Sequence, residues 1–285
     1  MDVSIDQIKK LREKTGAGMM DCKKALEESE GDFEKAIDYL RKKGAATSQK
    51  RSDRIAKEGL IIAQADENKK EAVIVEVNCE TDFVSRSDDF QKFTKDVVKN
   101  TFEIKNEDFN ILLETTSDGR TLQQALDELR GKVGEKIELK RVKYFCSSNG
   151  FFACYNHLGN KVASVIELEG KISEKGLVLG NELAMQVVAM KPLSIYRSEI
   201  SAEILEKEKD IYITQAKNEK KPDSIAEKIA ANKIEKYYQE NCLVEQEYIK
   251  DPAKSVQDFI NEISKETGIS YKVLNMIRFQ LGETL

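Results

Sequence analysis

The chain has 285 residues, 40% hydrophobic and 34% charged, with a formal net charge of −5, long enough for two or three compact units with cores of their own. Its longest apolar run falls well short of the roughly 20 residues that span a bilayer, and the opening MDVSIDQIKK lacks the apolar core of a secretory signal. The acidic balance argues against broad electrostatic binding to nucleic acid and suits a protein partner.

Residues 1–44 read as three short helices. Ser4 and Gln7 make a capping box, followed by Ile5, Ile8 and Leu11 at helical spacing, and Gly16 stops the helix. Met20, Ala25 and Leu26 mark a second helix that ends near Gly31. Asp32 caps a third, in which Phe33, Ala36, Ile37 and Leu40 share a face and Gly44 is the expected stop. The turn TGAGMM between the first two helices places Met19 and Met20 together, and a bundle this small has little room to bury both. Residues 45–54 are polar and aperiodic and predict a linker.

An α+β unit is expected over residues 55–146. Residues 59–65 and 72–77 pair as a hairpin. Phe90, Phe93 and Val97, then Leu122, Ala125, Leu126, Leu129 and Val133, mark two helix faces, and residues 136–145 alternate as a closing strand. The stretch AVIVEVNCETDFV begins as a buried strand and turns polar at Asn78. Its end has two readings: Asp82 and Phe83 form a presented tip, or Phe83 folds back onto the core and Asp82 caps the next helix.

A second unit is expected over residues 147–285. Residues 151–157 and 161–169 form its hairpin, with His157, the single histidine, at the tip. A buried helix over 176–190 and a helix opened by Ser255 and Asp258 precede a closing strand at 271–281. Between them, at about 198–240, two charged helices broken at Pro222 form an antiparallel hairpin, either projecting or packed on the core. The fold class is therefore α+β: a small three-helix bundle, then two similar halves with an inserted helical hairpin.

No glycine-rich phosphate loop, nucleophile elbow, HExxH or calcium loop occurs. His157 has no ligand or catalytic partner at a recognisable spacing. The five cysteines are odd in number and lack CxxC spacing, which suits a reduced, cytoplasmic setting. No cofactor, metal or covalent chemistry is expected.

LREKTGAGMMDCKKAL and NCETDFV resemble two stretches of the bacterial elongation factor Ts family. The likeness keeps the same order over nearly the whole chain and weakens after residue 282. The resemblance implies a ubiquitin-associated-like bundle and a guanine-nucleotide exchange factor for the GTPase elongation factor Tu, bound in its GDP and nucleotide-free states. It implies that Thr81, Asp82, Phe83 and Val84 displace the partner's Mg²⁺ indirectly, by shifting its helices, and that Arg12, Met19, Met20 and His157 contact the partner. It implies a coiled-coil protrusion at the helical hairpin, with self-association through it as a further expectation. Lys161 and Ala163 depart from the family's Arg and Gly, and the ending RFQLGETL is expected to lack a C-terminal helix present in the family. The competing expectations are a helix- or peptide-binding adaptor working through residues 1–44, or an enzyme with an unrecognised site.

Overall fold

In the computed structural model, which describes residues 3–50, 53–117 and 119–283, the first element is helix α1 (Ile5–Thr15). The expected capping box opens it: Ser4 Oγ accepts from Gln7 N–H while the Gln7 side chain accepts from Ser4 N–H. Gly16 ends it with φ at 69°, in the left-handed region. Helices α2 (Met19–Glu28) and α3 (Phe33–Lys50) complete a bundle around Ile8, Leu11, Cys22, Ala25, Leu26 and Ala36. Asp32 opens α3 by accepting from the N–H groups of Glu34 and Lys35 at 3.0 and 3.1 Å.

Strands β1 (Glu58–Ala65) and β2 (Glu71–Cys79) form the first hairpin. After it come a one-turn helix α4 (Asp82–Ser85), α5 (Asp88–Ile104), α6 (Phe109–Leu113), a short ladder of β3 (Thr116–Ser117) with β4 (Arg120–Thr121), and α7 (Leu122–Val133). Strand β5 (Ile137–Cys146) returns to pair antiparallel with β2, giving the order β1-β2-β5. The second half follows the same plan. Strands β6 (Gly150–Asn156) and β7 (Val162–Glu169) form a hairpin, followed by α8 (Glu174–Met190), α9 (Ala202–Asn218), α10 (Asp223–Asn241), a short ladder of β8 (Glu247–Tyr248) with β9 (Asp251–Ser255), and α11 (Val256–Thr267). Strand β10 (Lys272–Gln280) closes on β7, giving the order β6-β7-β10. Helix α11 opens with the expected Ser255–Asp258 capping box.

Strand β2 shows how the halves join. Val73, Val75 and Val77 face Phe90, Phe93, Val97, Leu126 and Leu129 of α5 and α7. Ala72 and Ile74 point the other way and meet Phe152, Ala163, Val165 and Phe279 of the second sheet. Both faces are covered, so the strand reads as one apolar run. Phe151, Ile166 and Leu168 carry the opposite face of the second sheet onto α8 and α11. The result is a helix, sheet, sheet, helix sandwich.

The bundle does not hang on a linker that begins after Gly44. Helix α3 continues to Lys50, so the expected stop at Gly44 and the first part of the expected linker are corrected to helix. Residues 51 and 52 lie outside the described residues, and residues 53–57 carry no helix or strand. The physical reason is a helix crossing. A Cβ on Gly44 would sit 3.3 Å from the Asp127 carbonyl and 3.7 Å from Gly131 Cα on α7, so glycine here lets two helices approach. Arg41 reinforces the contact through Glu128 at 2.7 Å.

Helices α9 and α10 pack on each other through Ala216, Ala226 and Ala230, their buried residues. The C-terminal end of α10 is tied down by Arg197, which pairs with Glu235 and Glu245 and lies 4.3 Å over the Tyr238 ring. Among the described residues no helix is long and apolar enough to cross a membrane.

One ion pair lies within the layer between the sheets. Arg141 donates through Nε to Glu76, which is 2% exposed, donates to the Gln280 carbonyl at 3.0 Å, and stacks 4.0 Å over the Phe279 ring. Glu76→Ala should lower unfolding free energy by about 3–5 kcal/mol, because it strands a guanidinium in a low-dielectric layer. The paired change Glu76→Leu with Arg141→Met should recover most of that loss. Urea unfolding of the single and double variants measures both.

Candidate functional site

Strand β2 leaves the core at Cys79, and the chain turns through Glu80 and Thr81 into α4. The turn is pinned from beneath. Glu135 accepts twice from Thr81, from its N–H at 3.0 Å and from its hydroxyl at 2.7 Å. The Cys79 thiol donates to the Thr81 carbonyl at 3.1 Å. Burial, with Glu135 and Glu58 adding to it, pushes that thiol up to about 12, so it stays a protonated donor at neutral pH. Glu80 accepts from Lys136 N–H at 2.6 Å and from Arg54 at 3.3 Å. Thr81 is also the N-cap of α4, through a long 3.5 Å contact with Val84 N–H.

On this base Phe83 is 82% exposed. Asp82 pairs with Arg86 at 2.9 Å and is not the cap. Val84 is half-buried against the first core. The reading in which Phe83 folds back and Asp82 caps a helix is therefore excluded, and the tip is presented.

His157 sits in the β6–β7 turn, exposed, with Nδ1 3.1 Å from the Tyr155 hydroxyl. Leu158 beside it is 94% exposed. The turn is stitched to β1: Asn160 O accepts from Ile61 N–H at 2.7 Å, and the Asn156 side chain bonds both the N–H and the carbonyl of Ala63 at 2.8 Å. Lys161 reaches Glu58 at 2.7 Å. Glu58 stands opposite Cys79 in the β1–β2 register, so the His157 turn lies at the end of the sheet from which residues 80–84 emerge. Lys161, where the resemblance leads one to expect Arg, keeps a cation for this carboxylate, and Ala163 is buried between the sheets.

In the bundle Met19 is 47% and Met20 75% exposed, and Arg12 is exposed in the last turn of α1. The turn before them is held by Lys132 of α7: a Cβ on Gly16 would sit 2.7 Å from Lys132 Cε. Lys132 also pairs with Asp89 at the start of α5. Helix α7 then ends at Gly134, φ 73°, which delivers Glu135 to Thr81. A continuous run of contacts thus links the Met19–Met20 turn, residues 81–84 and the His157 turn.

Sequence reasoning missed Glu135, Glu80, Arg54, Lys136 and Leu158. No local pattern marks Glu135 among 51 Asp and Glu residues. Among the described residues, no cluster of three or more His, Cys, Asp or Glu side chains is placed to hold a metal ion.

The sequence profile of the family described as Elongation factor TS matches residues 80–283. A protein named elongation factor Ts from Chlorobium phaeobacteroides (strain BS1) is 43% identical over 284 residues, spanning 98% of this chain and 99% of its own length. One of the same name from Chloroherpeton thalassium is 42% identical over 286 residues, 99% of each chain. Another from Clostridium tetani is 42% identical over 285 residues, 99% of this chain and 94% of its own.

An exposed ring supports no core. Phe83→Ala should therefore shift unfolding free energy by less than about 0.5 kcal/mol. Phe90→Ala, in the fully buried first core, should cost about 3–5 kcal/mol. Thermal unfolding of the two variants side by side tests the assignment.

Proposed function

Because the chain belongs to the elongation factor Ts family, we propose that it is the guanine-nucleotide exchange factor of elongation factor Tu in translation elongation. It binds the GDP complex and promotes GDP release in the cytoplasm without making or breaking a covalent bond. The observation that carries this reading is Phe83, 82% exposed, on a turn whose base is held by Glu135 through the N–H and hydroxyl of Thr81. A large ring left in water on a fixed support is suited to entering another protein.

The physics is reciprocal coupling. A factor that binds the nucleotide-free partner better than the GDP-bound partner weakens GDP by the same ratio. Accelerating release by about 10³ to 10⁵ requires about 4–7 kcal/mol of differential stabilisation. Burial of the Phe83 ring between partner helices supplies about 2–3 kcal/mol of it. Asp82 brings a carboxylate toward the partner's Mg²⁺ region, and Thr81 and Val84 set the height of the turn. The segment shifts the partner's helices and so displaces Mg²⁺ indirectly; it is not a metal ligand. Met19 and Met20 offer soft, adaptable contact area beside Arg12, and His157 adds a contact from the second hairpin. Self-association is assigned to α9 and α10, which leave Ile204, Ile211 and Ile225 exposed. The adaptor reading gives no role to Phe83, which lies outside the bundle.

GDP release from purified elongation factor Tu, with and without this protein, tests the proposal. Phe83→Ala should slow release by about 30- to 150-fold, the equivalent of the burial energy lost. Asp82→Ala should slow it less, and the double variant should fall short of the product of the two effects, since neighbours entering one cleft share an interaction. Undiminished release by folded Phe83→Ala overturns the wedge.

Deleting residues 1–54 should abolish most exchange while circular dichroism still shows a folded remainder. The first-half core draws on no residue before Leu60, so the bundle can leave without opening it. Full exchange by the folded truncation would remove the bundle from the proposed interface.

A further inference from the structure

The turn below Phe83 and the end of α7 hold each other by a crossed pair of carboxylates. Glu135 takes the N–H and hydroxyl of Thr81, while Glu80, the residue before Thr81, takes the N–H of Lys136, the residue after Glu135. We propose that Glu135 is a positioning residue for Phe83, with Glu80 as its counterpart: the clasp fixes the base of α4 so that the ring is oriented before a partner arrives, and it makes the turn and the bundle-bearing helix α7 one rigid body. This inference rests on the exchange reading above and names what makes its wedge effective.

A helix of four residues cannot hold its own geometry, and its internal cap contact is a long 3.5 Å. Phe83 receives no support from the core, because its ring is in water. The orientation of the turn must come from groups outside it. Thr81 supplies the attachment: its N–H and hydroxyl go to Glu135, and its carbonyl goes to the Cys79 thiol. The bonds to Glu135 are charge-assisted and bidentate, the stronger and more directional class. A carboxylate suits the site because each oxygen meets one donor. A Gln amide would present its NH₂ to one of those donors. Glu80 is further fixed by Arg54, whose carbonyl in turn accepts from Lys136 Nζ at 3.1 Å.

The clasp also has a route to the bundle. Glu135 follows α7 after a single residue, Gly134. Two residues before Gly134, Lys132 covers Gly16, and Gly131 meets Gly44 of α3. Displacing the bundle therefore pulls on the element that positions Thr81. The general gain is preorganisation: a side chain held in its bound orientation loses less freedom on association.

The test uses the full chain with Glu135→Gln, Thr81→Val and Thr81→Ser, each in the native and the Phe83→Ala background. GDP release from elongation factor Tu and amide hydrogen exchange at residues 81–85 of the free protein are the readouts. Glu135→Gln and Thr81→Val should each lower the maximal release rate about tenfold and lower Tm by only a few degrees, the effect of one charge-assisted hydrogen bond. Both should speed amide exchange at 81–85, and Thr81→Ser, which keeps the hydroxyl, should restore the native rate. In the Phe83→Ala background Glu135→Gln should slow release much less than tenfold, because only the smaller share of Asp82 on the same turn is left to lose. A tenfold loss that persists there would show that Glu135 acts elsewhere, and native release despite faster amide exchange would show that the turn's rigidity is irrelevant; either overturns the inference and leaves the exchange reading standing. Failure of the unmodified protein to accelerate release overturns the exchange reading and this inference together.

Discussion

Strand β2 is covered on both faces, and the rest of the molecule is arranged around that fact. Its valines take α5 and α7, and its alternate residues take the second sheet. A strand gripped from both sides cannot slide or tilt, because a one-residue slip would exchange its two apolar faces and misalign both layers. The chain therefore leaves the sheet at Cys79 at a fixed place and in a fixed direction. The buried Glu76–Arg141 pair adds register to grip, since Arg141 reaches Phe279 and Gln280 on the opposite sheet as well as Glu76 on its own. Close packing of this kind transmits displacement without absorbing it.

Three surface features with no sequence proximity inherit that rigidity. Residues 80–84 are the continuation of β2 itself. The His157 turn is stitched to β1 through Asn156, Asn160 and Lys161. The Met19–Met20 turn reaches the same frame through α7, whose Lys132 covers Gly16 and whose Gly131 admits Gly44. The bundle is small and its own core is limited to a handful of side chains, so its orientation depends on the α3–α7 crossing more than on its internal packing. The helical hairpin differs. Its helices bury only alanines against each other, and its anchoring concentrates at the Arg197 cluster.

What could be read from the sequence was local. The capping boxes at Ser4 and Ser255 were legible because donor and acceptor lie three residues apart. The hairpins and closing strands were legible because alternation and apolar runs mark them directly. Gly44 was misread because glycine serves both to end helices and to let them cross. Which of these applies depends on Gly131, far along the chain. The polar wording after it hid six further helical residues, since AATSQK carries no apolar residue at helical spacing to mark a face. Helix α4 escaped notice because four residues carry no period. For the site, the identity of the presented segment was legible, but its presentation was not. Whether Phe83 faces core or water is a tertiary outcome, and Glu135, which fixes the answer, lies 54 residues from Thr81.

Rigidity of the presented turn also decides whether the proposed mechanism is energetically open. Fixing one residue's backbone costs about 1–2 kcal/mol. A loose segment of four residues would thus lose about 4–8 kcal/mol on docking, if it were fully disordered beforehand. That is as large as the 4–7 kcal/mol that an acceleration of about 10³ to 10⁵ requires. A flexible Phe83 would spend its burial energy on its own ordering, and none would remain to distinguish the nucleotide-free partner from the GDP-bound one. The ordering has been completed during folding instead, by Glu135, Glu80 and the Cys79 thiol on one side and by the gripped strand on the other. An exposed aromatic of this kind contributes nothing to the stability of the free protein, and the whole of its burial energy is left for the encounter.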